Sequence, residues 1–191
     1  MKSILSETYN EIIISNSKFI TLLYRVADVN DVKKILKNVK QDYKKADHYC
    51  YAYIINDIKK CSDDGEPSGT AGMPILSTLE KKNYNLVLCV VIRYFGGVKL
   101  GSGGLIRAYR KSVNECLKES VTVDLYPGLL VEIVFNLDNH NDVVDIIEDC
   151  KIVDRDYQEI ITYKVIVDDD ILEKVKRITT VNIIGKAFIE K

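Results

Sequence analysis

The chain has 191 residues, 47% hydrophobic and 29% charged, with a formal net charge of −1. That is the composition of an ordinary soluble globular protein, one large domain or two small ones, able to bury a core without covalent staples. No apolar run approaches the ~20 residues of a membrane span, and polar residues interrupt the N-terminal "MKSILSETYNEIII", so neither a membrane anchor nor a signal peptide is expected.

"NEIIIS" (10–15) and "KFITLLYRV" (18–26) read as two strands joined by the turn residues Asn16 and Ser17. "DVNDVKKILKNVKQDY" (28–43) reads as a helix, with Val32, Ile35, Leu36, Val39 and Tyr43 on one stripe and Asp28 and Asn30 available as caps. Lys33, Lys37, Lys40 and Lys44 form a second, wet stripe. "HYCYAYIIN" (48–56) has the aromatic and β-branched content of a strand. "KKCSDDGEPSGTAGMP" (59–74) is dense in turn residues and reads as a loop, and Pro74 suits the first turn of the helix after it. "LVLCVVIRYF" (86–95) is an almost unbroken apolar run, expected to be a central strand covered on both faces.

Next comes "RYFGGVKLGSGGLIRAYRK" (93–111), which holds five of the ten glycines within nine positions. A helix follows, with Ile106, Tyr109, Val113, Cys116 and Leu117 as its buried stripe and its start near Gly103. Pro127 and Gly128 then mark a break. Beyond them the pattern is strand, helix, two strands, helix, strand, with Asp168, Asp169 and Asp170 at the start of the last helix, where the dipole favours them. The fold expected is α+β in two domains, residues 1–125 and 128–191.

The charge divides along the same line. Residues 1–124 carry 19 Lys and Arg against 14 Asp and Glu, and residues 125–191 carry 8 against 14. On charge alone these read as two solvated surfaces of modest opposite sign; an anionic partner would be attracted by the first and repelled by the second. The five cysteines are scattered with no CxxC, as expected for reduced thiols in a cytoplasmic protein.

The chemistry concentrates in two motifs. A strand, a glycine-rich loop and a helix N-terminus together make an anion site in principle, because backbone N–H groups and the dipole point outward. Arg93, Lys99, Arg107 and Arg110 add full charges around Gly96, Gly97, Gly101, Ser102, Gly103 and Gly104. The phosphate-loop signature fails, since Ser102 and Gly103 follow Gly101 where a lysine is required first, and the dinucleotide fingerprint fails at Ile106. A tight connection needs one or two glycines rather than five, which favours an anion or nucleic-acid contact. If Gly103 sits at positive φ, valine there damages the fold.

The second motif, "SDDGEPSGTAG", sets Asp63, Asp64 and Glu66 within four positions. They are weak candidates for Mg²⁺ or acid–base work, and a turn at Asp64–Gly65 whose acids balance nearby Arg and Lys is the plainer reading. His48, Cys50 and Cys61 invite a zinc site but lack a second ligand pair, the other histidine being the distant His140. No catalytic set is recognisable, and no cofactor is expected.

"ADHYCYAY", "DDGEPSGTAGMPIL" and "VVIRYFGGVKLGSGGLIRAY" together resemble the IMPACT family and its bacterial YigZ-like members. The resemblance is strong from Lys18 to Leu117. It implies a first domain like domain 2 of ribosomal protein S5 and a second, ferredoxin-like domain similar to one in the translocation elongation factor. It also implies a link to translation. The leading expectation is therefore a cytoplasmic, non-enzymatic module that binds RNA or the ribosome. Tyr49, Tyr51, Tyr53, Tyr94 and Tyr109 then offer rings for stacking on bases, although most of them are expected to pack in the sheet and helix core. The alternatives are a Mg²⁺-dependent enzyme or binder of a phosphorylated small molecule, and an adaptor that docks a basic protein on its acidic second domain.

Overall fold

A computed structural model describes residues 1–190. The chain forms two compact units, Met1–Val123 and a second from Asp124 onward.

In the first unit, β2 (Thr8–Ile14), β3 (Ser17–Arg25), β4 (His48–Ile55), β5 (Ile58–Ser62) and β6 (Val87–Tyr94) make a five-stranded antiparallel sheet, ordered β2-β3-β6-β4-β5. A short β1 (Lys2–Ile4) precedes it, too brief to show in the sequence pattern. As its apolar run implied, β6 is central and covered on both faces. Val87, Cys89 and Val91 pack toward α2 (Gly72–Lys81) and α3 (Gly101–Glu119), while Leu88, Val90 and Ile92 pack toward α1 (Val29–Asp42). The alternation follows from the two-residue period of a strand. Burial of each such side chain is worth roughly 1.5–3 kcal/mol before entropy is counted.

The caps explain where α1 starts. Asp28 Oδ1 accepts from the N–H groups of Asn30 and Asp31 at 2.7 and 2.9 Å. Its apolar stripe faces the sheet and the lysines at 33, 37, 40 and 44 are exposed.

Three expectations about elements change. The segment 59–74 is not all loop, because β5 forms an edge strand whose polar residues hide its period. The helix α3 starts at Gly101, two residues before the expected start, so Gly101 and Ser102 belong to its first turn. Pro127 and Gly128 do not break the chain; they lie within β7 (Thr122–Phe135), opposite Phe188 and Ala187. Pairing of β7 with β9 begins only at Leu129, so Pro127 has a ladder neighbour on one side alone and its missing N–H is tolerated.

The second unit runs β7, α4 (His140–Ile146), β8 (Lys151–Tyr157), β9 (Ile161–Val167), α5 (Asp169–Lys176) and β10 (Thr180–Glu190). Within this unit the strands pair antiparallel in the order β10-β7-β9-β8. Val131, Ile133 and Phe135 of β7 and Tyr163, Val165 and Val167 of β9 meet Val143 of α4 and Leu172 and Val175 of α5. Asp168 caps α5 through the Ile171 N–H at 2.9 Å, with Asp169 and Asp170 in the first turn. No helix among the described residues is long and apolar enough to cross a membrane.

Of the five cysteines, Cys50, Cys89 and Cys116 are buried, and Cys61 and Cys150 are half-buried; none is in a disulfide.

Candidate anion-binding site

The acidic loop is built by its turn. Asp64 and Gly65 both have positive φ, 42° and 90°, and the Glu66 N–H donates to the Asp63 carbonyl at 3.0 Å, which is the two-residue turn the Asp-Gly pair favours. The turn sends the three acids in different directions. Asp63 Oδ1 accepts from the N–H groups of Ala71 and Gly72 at 3.0 and 2.8 Å, and Oδ2 from Gly69 at 2.9 Å. It therefore caps α2 from nine residues upstream, which the residue next to that helix, Ala71, cannot do. Asp64 Oδ2 accepts from the Tyr49 N–H at 2.7 Å and Oδ1 faces Lys40 Nζ at 3.4 Å.

Glu66 turns inward, with 3% of its side chain exposed, and meets Arg93 of β6, with 5% exposed. Arg93 Nη1 lies 2.7 Å from Glu66 Oε1, and the Tyr109 hydroxyl donates to the same oxygen at 2.8 Å. Arg93 Nη2 donates to Ser17 Oγ at 3.2 Å, and Phe19 and Phe95 flank the guanidinium with ring centroids 5.4 and 5.5 Å away. His48 Nε2 is 3.9 Å from Glu66 Oε2, and its Nδ1 lies 2.9 Å from the Asp64 carbonyl oxygen. Cys50 donates its thiol to the Asp63 carbonyl at 2.9 Å and lies 3.3 Å from the Tyr109 hydroxyl.

These environments fix protonation. Burial pushes the Cys50 thiol up to about 12, which keeps it protonated as a donor to the Asp63 carbonyl. Burial, then the neighbouring Cys50 and Glu66, drives the Tyr109 hydroxyl well above its usual range and keeps it a donor. For Asp63, burial alone would raise the carboxyl, but the N–H bonds from Gly69, Gly72 and Ala71 outweigh it and hold the group below the ordinary value. A depressed carboxyl stabilises the fold above its unfolded value, and that stabilisation is lost as pH falls through the folded one. Asp63→Asn is expected to cost about 1–2 kcal/mol near neutrality. In urea titrations across pH, the gap from the wild type should close below roughly pH 4; a gap independent of pH would contradict the cap.

The glycine stretch sorts in the same way. At Gly96 a Cβ would stand 2.0 Å from the backbone carbon and oxygen of Asn16, because the β2–β3 turn is pressed against this residue. Its N–H donates to Ser17 Oγ at 3.2 Å. Gly97 and Gly101 have left-handed φ of 83° and 66°. Gly103 does not: it lies in the first turn of α3, where a Cβ would meet only the Arg107 guanidinium, at 3.4 Å. The expectation that valine at Gly103 would damage the fold through a positive φ is thus overturned. Gly104 packs toward Leu100.

Among the residues read from sequence as an anion surface, Arg93 is buried and engaged. Gly97, Lys99, Gly101, Ser102, Gly103, Arg107 and Arg110 are exposed, and Gly96 and Gly104 are half-buried. The first turn of α3 holds no acidic residue and Leu100 offers no side-chain cap, so its N–H groups and dipole face outward beside Lys99. Tyr53 and Tyr109 are buried, and Tyr49, Tyr51 and Tyr94 are half-buried beside α1, so none is an open stacking platform. Among the described residues no group of three or more His, Cys, Asp or Glu converges as a metal site. Sequence reasoning missed Ser17 and Tyr109 as partners of the ion pair. The position of Tyr109 on the buried stripe of α3 was the available signal.

These features define a two-domain α+β protein whose first domain buries an Arg–Glu pair under an acidic turn and presents a glycine-rich helix start to solvent. The Impact N-terminal domain family matches residues 15–117. The chain is 34% identical to the IMPACT family member YigZ of Escherichia coli over 161 residues, covering 80% of this chain and 78% of that one. It is 47% identical to the IMPACT family member YvyE of Bacillus subtilis over 118 residues, covering 60% of this chain and about half, 54%, of that relative's length. A crystal structure described as that of a hypothetical protein superposes with a TM-score of 0.74 at 26% identity, covering 94% of this chain and 95% of that one. The chain belongs to the IMPACT family and is similar to its bacterial YigZ-like members.

Proposed function

We propose that this is a cytoplasmic, non-enzymatic module that binds RNA or a ribosomal RNA surface in the regulation of translation. Under this reading the first unit has the ribosomal protein S5 domain 2-like fold and the second is ferredoxin-like, its β-α-β-β-α-β order and β10-β7-β9-β8 sheet supporting the latter. Fold alone does not carry function. The observation that carries it is the division of labour in the two motifs. Asp63, Asp64 and Glu66 are engaged by backbone N–H groups, Lys40 and Arg93, while Lys99, Arg107 and Arg110 and the outward N–H groups of α3 stay exposed. Carboxylates so engaged serve the fold rather than an active site. What remains open is a positive surface without base-reading aromatics, suited to phosphates rather than to sequence.

Filter binding of a structured RNA through a salt series tests it. Affinity is expected to fall linearly with log salt, and Lys99→Ala/Arg107→Ala to flatten the slope by roughly 1–2. Binding that is absent at low salt, or indifferent to salt, would overturn the proposal.

A further inference from the structure

Between α2 and α3 the first unit has a half-open groove of about 220 Å³, lined by Ser77, Thr78, Lys81, Lys82, Arg110 and Asn114. Three of the six are cations and none is an acid. The acids nearest in sequence are occupied elsewhere: Glu80 pairs with Lys59 at 2.9 Å and Glu115 with Lys118 at 2.8 Å. Among the described residues no ion pair engages Lys81, Lys82 or Arg110. Converging like charges repel one another, and an anion between them relieves that cost.

The end of α2 brings its own partial negative charge, which would oppose an anion. Here the last carbonyls are already taken. Those of Thr78, Leu79 and Glu80 accept from the N–H groups of Lys82, Tyr84 and Asn83 at 3.3, 3.1 and 2.9 Å. The lining polar groups are also ordered: Ser77 and Thr78 donate to the Pro74 carbonyl at 3.1 and 2.7 Å, and Asn114 Nδ2 to the Arg110 carbonyl at 2.9 Å. The groove therefore combines three exposed cationic donors with polar groups held in place by their own hydrogen bonds. A water takes about 30 Å³ of liquid, so the groove has room for a phosphate group and residual water.

We propose that this groove, rather than the glycine-rich stretch, is the main seat for a phosphodiester of the bound RNA. Arg110 gives a planar fork for two phosphate oxygens, and Lys81 and Lys82 act as point charges. The inference rests on the RNA-binding reading for the source of the phosphate, but the groove's chemistry can be examined without RNA.

Two measurements separate the two. In the salt series, Lys81→Gln/Lys82→Gln/Arg110→Gln is expected to lower the slope by about 2 and weaken low-salt binding tenfold or more. Lys99→Ala/Arg107→Ala is expected to do less. In the second measurement, inorganic phosphate is titrated into the labelled wild-type protein. Amide shifts are expected at 77–82 and 110–114, and are expected to vanish in the triple variant, whose exposed substitutions leave far-UV circular dichroism unchanged. RNA binding that survives the triple variant with its slope intact overturns the groove. If the wild type retains no RNA, the functional reading fails. The groove then stands if phosphate shifts its amides and falls if it does not.

Discussion

Replacing Glu66 by Ala is expected to cost about 3–5 kcal/mol of the first unit's stability, the range found when one partner of a buried ion pair is removed. The physical reason is what the substitution leaves behind. Arg93 stays charged, with only 5% of its side chain exposed and two phenylalanine rings around it, and Ser17 Oγ becomes its one remaining side-chain acceptor. The Tyr109 hydroxyl loses its acceptor in the same event. Arg93→Met leaves the converse, a buried carboxylate facing a tyrosine hydroxyl. The double variant Arg93→Met/Glu66→Ala removes both charges and is expected to be more stable than the sum of the two single losses implies. Urea unfolding of the four proteins forms a cycle, and strictly additive losses would show that the pair is not coupled.

Gly96→Ala is expected to cost about 3 kcal/mol or more, at the upper end of overpacking effects. Its added carbon would overlap the Asn16 carbonyl, and a backbone in a tight turn cannot swing aside as a side chain can. Gly103→Ala is the matched control seven residues away. It adds the same methyl group to an exposed first turn, next to the flexible end of Arg107, and is expected to be neutral or to stabilise by up to about 1 kcal/mol. Thermal melts of the two proteins side by side test whether glycine density here is packing in one place and helix start in another. Equal losses would refute that division.

The sequence was most legible where a pattern is periodic. The apolar run of β6 and the stripes of α1 and α3 each marked the face that packs inward, because a regular element repeats its environment at a fixed spacing, although at the start of α3 it is Leu105 rather than Ile106 that is fully buried. It was least legible where a residue's role depends on a partner far along the chain. That the acids of the turn balance nearby Arg and Lys was the plainer reading, but nothing local reveals that it is Glu66, 27 residues upstream, that meets Arg93, or that the pair is buried. Asp63 reads as a charge-balancing acid for the same reason, although it caps a helix that starts nine residues later. Pro127 and Gly128 read as a break because turn chemistry is judged locally, whereas the tolerance of proline in β7 depends on which side of the strand is paired. The anion surface lies between these cases. The exposure of Lys99, Arg107 and Arg110 was anticipated, but the company Arg110 keeps with Lys81 and Lys82 required the packing of two helices.

The cysteines have a practical corollary. Three are sealed in the core, and the two half-buried ones fall one to each unit, Cys61 in the first and Cys150 in the second. Maleimide is therefore expected to reach Cys61 and Cys150 ahead of the three buried thiols, one in each unit. A donor and acceptor dye pair at those two thiols turns the separation of the units, and any change in it when RNA is added, into an optical signal.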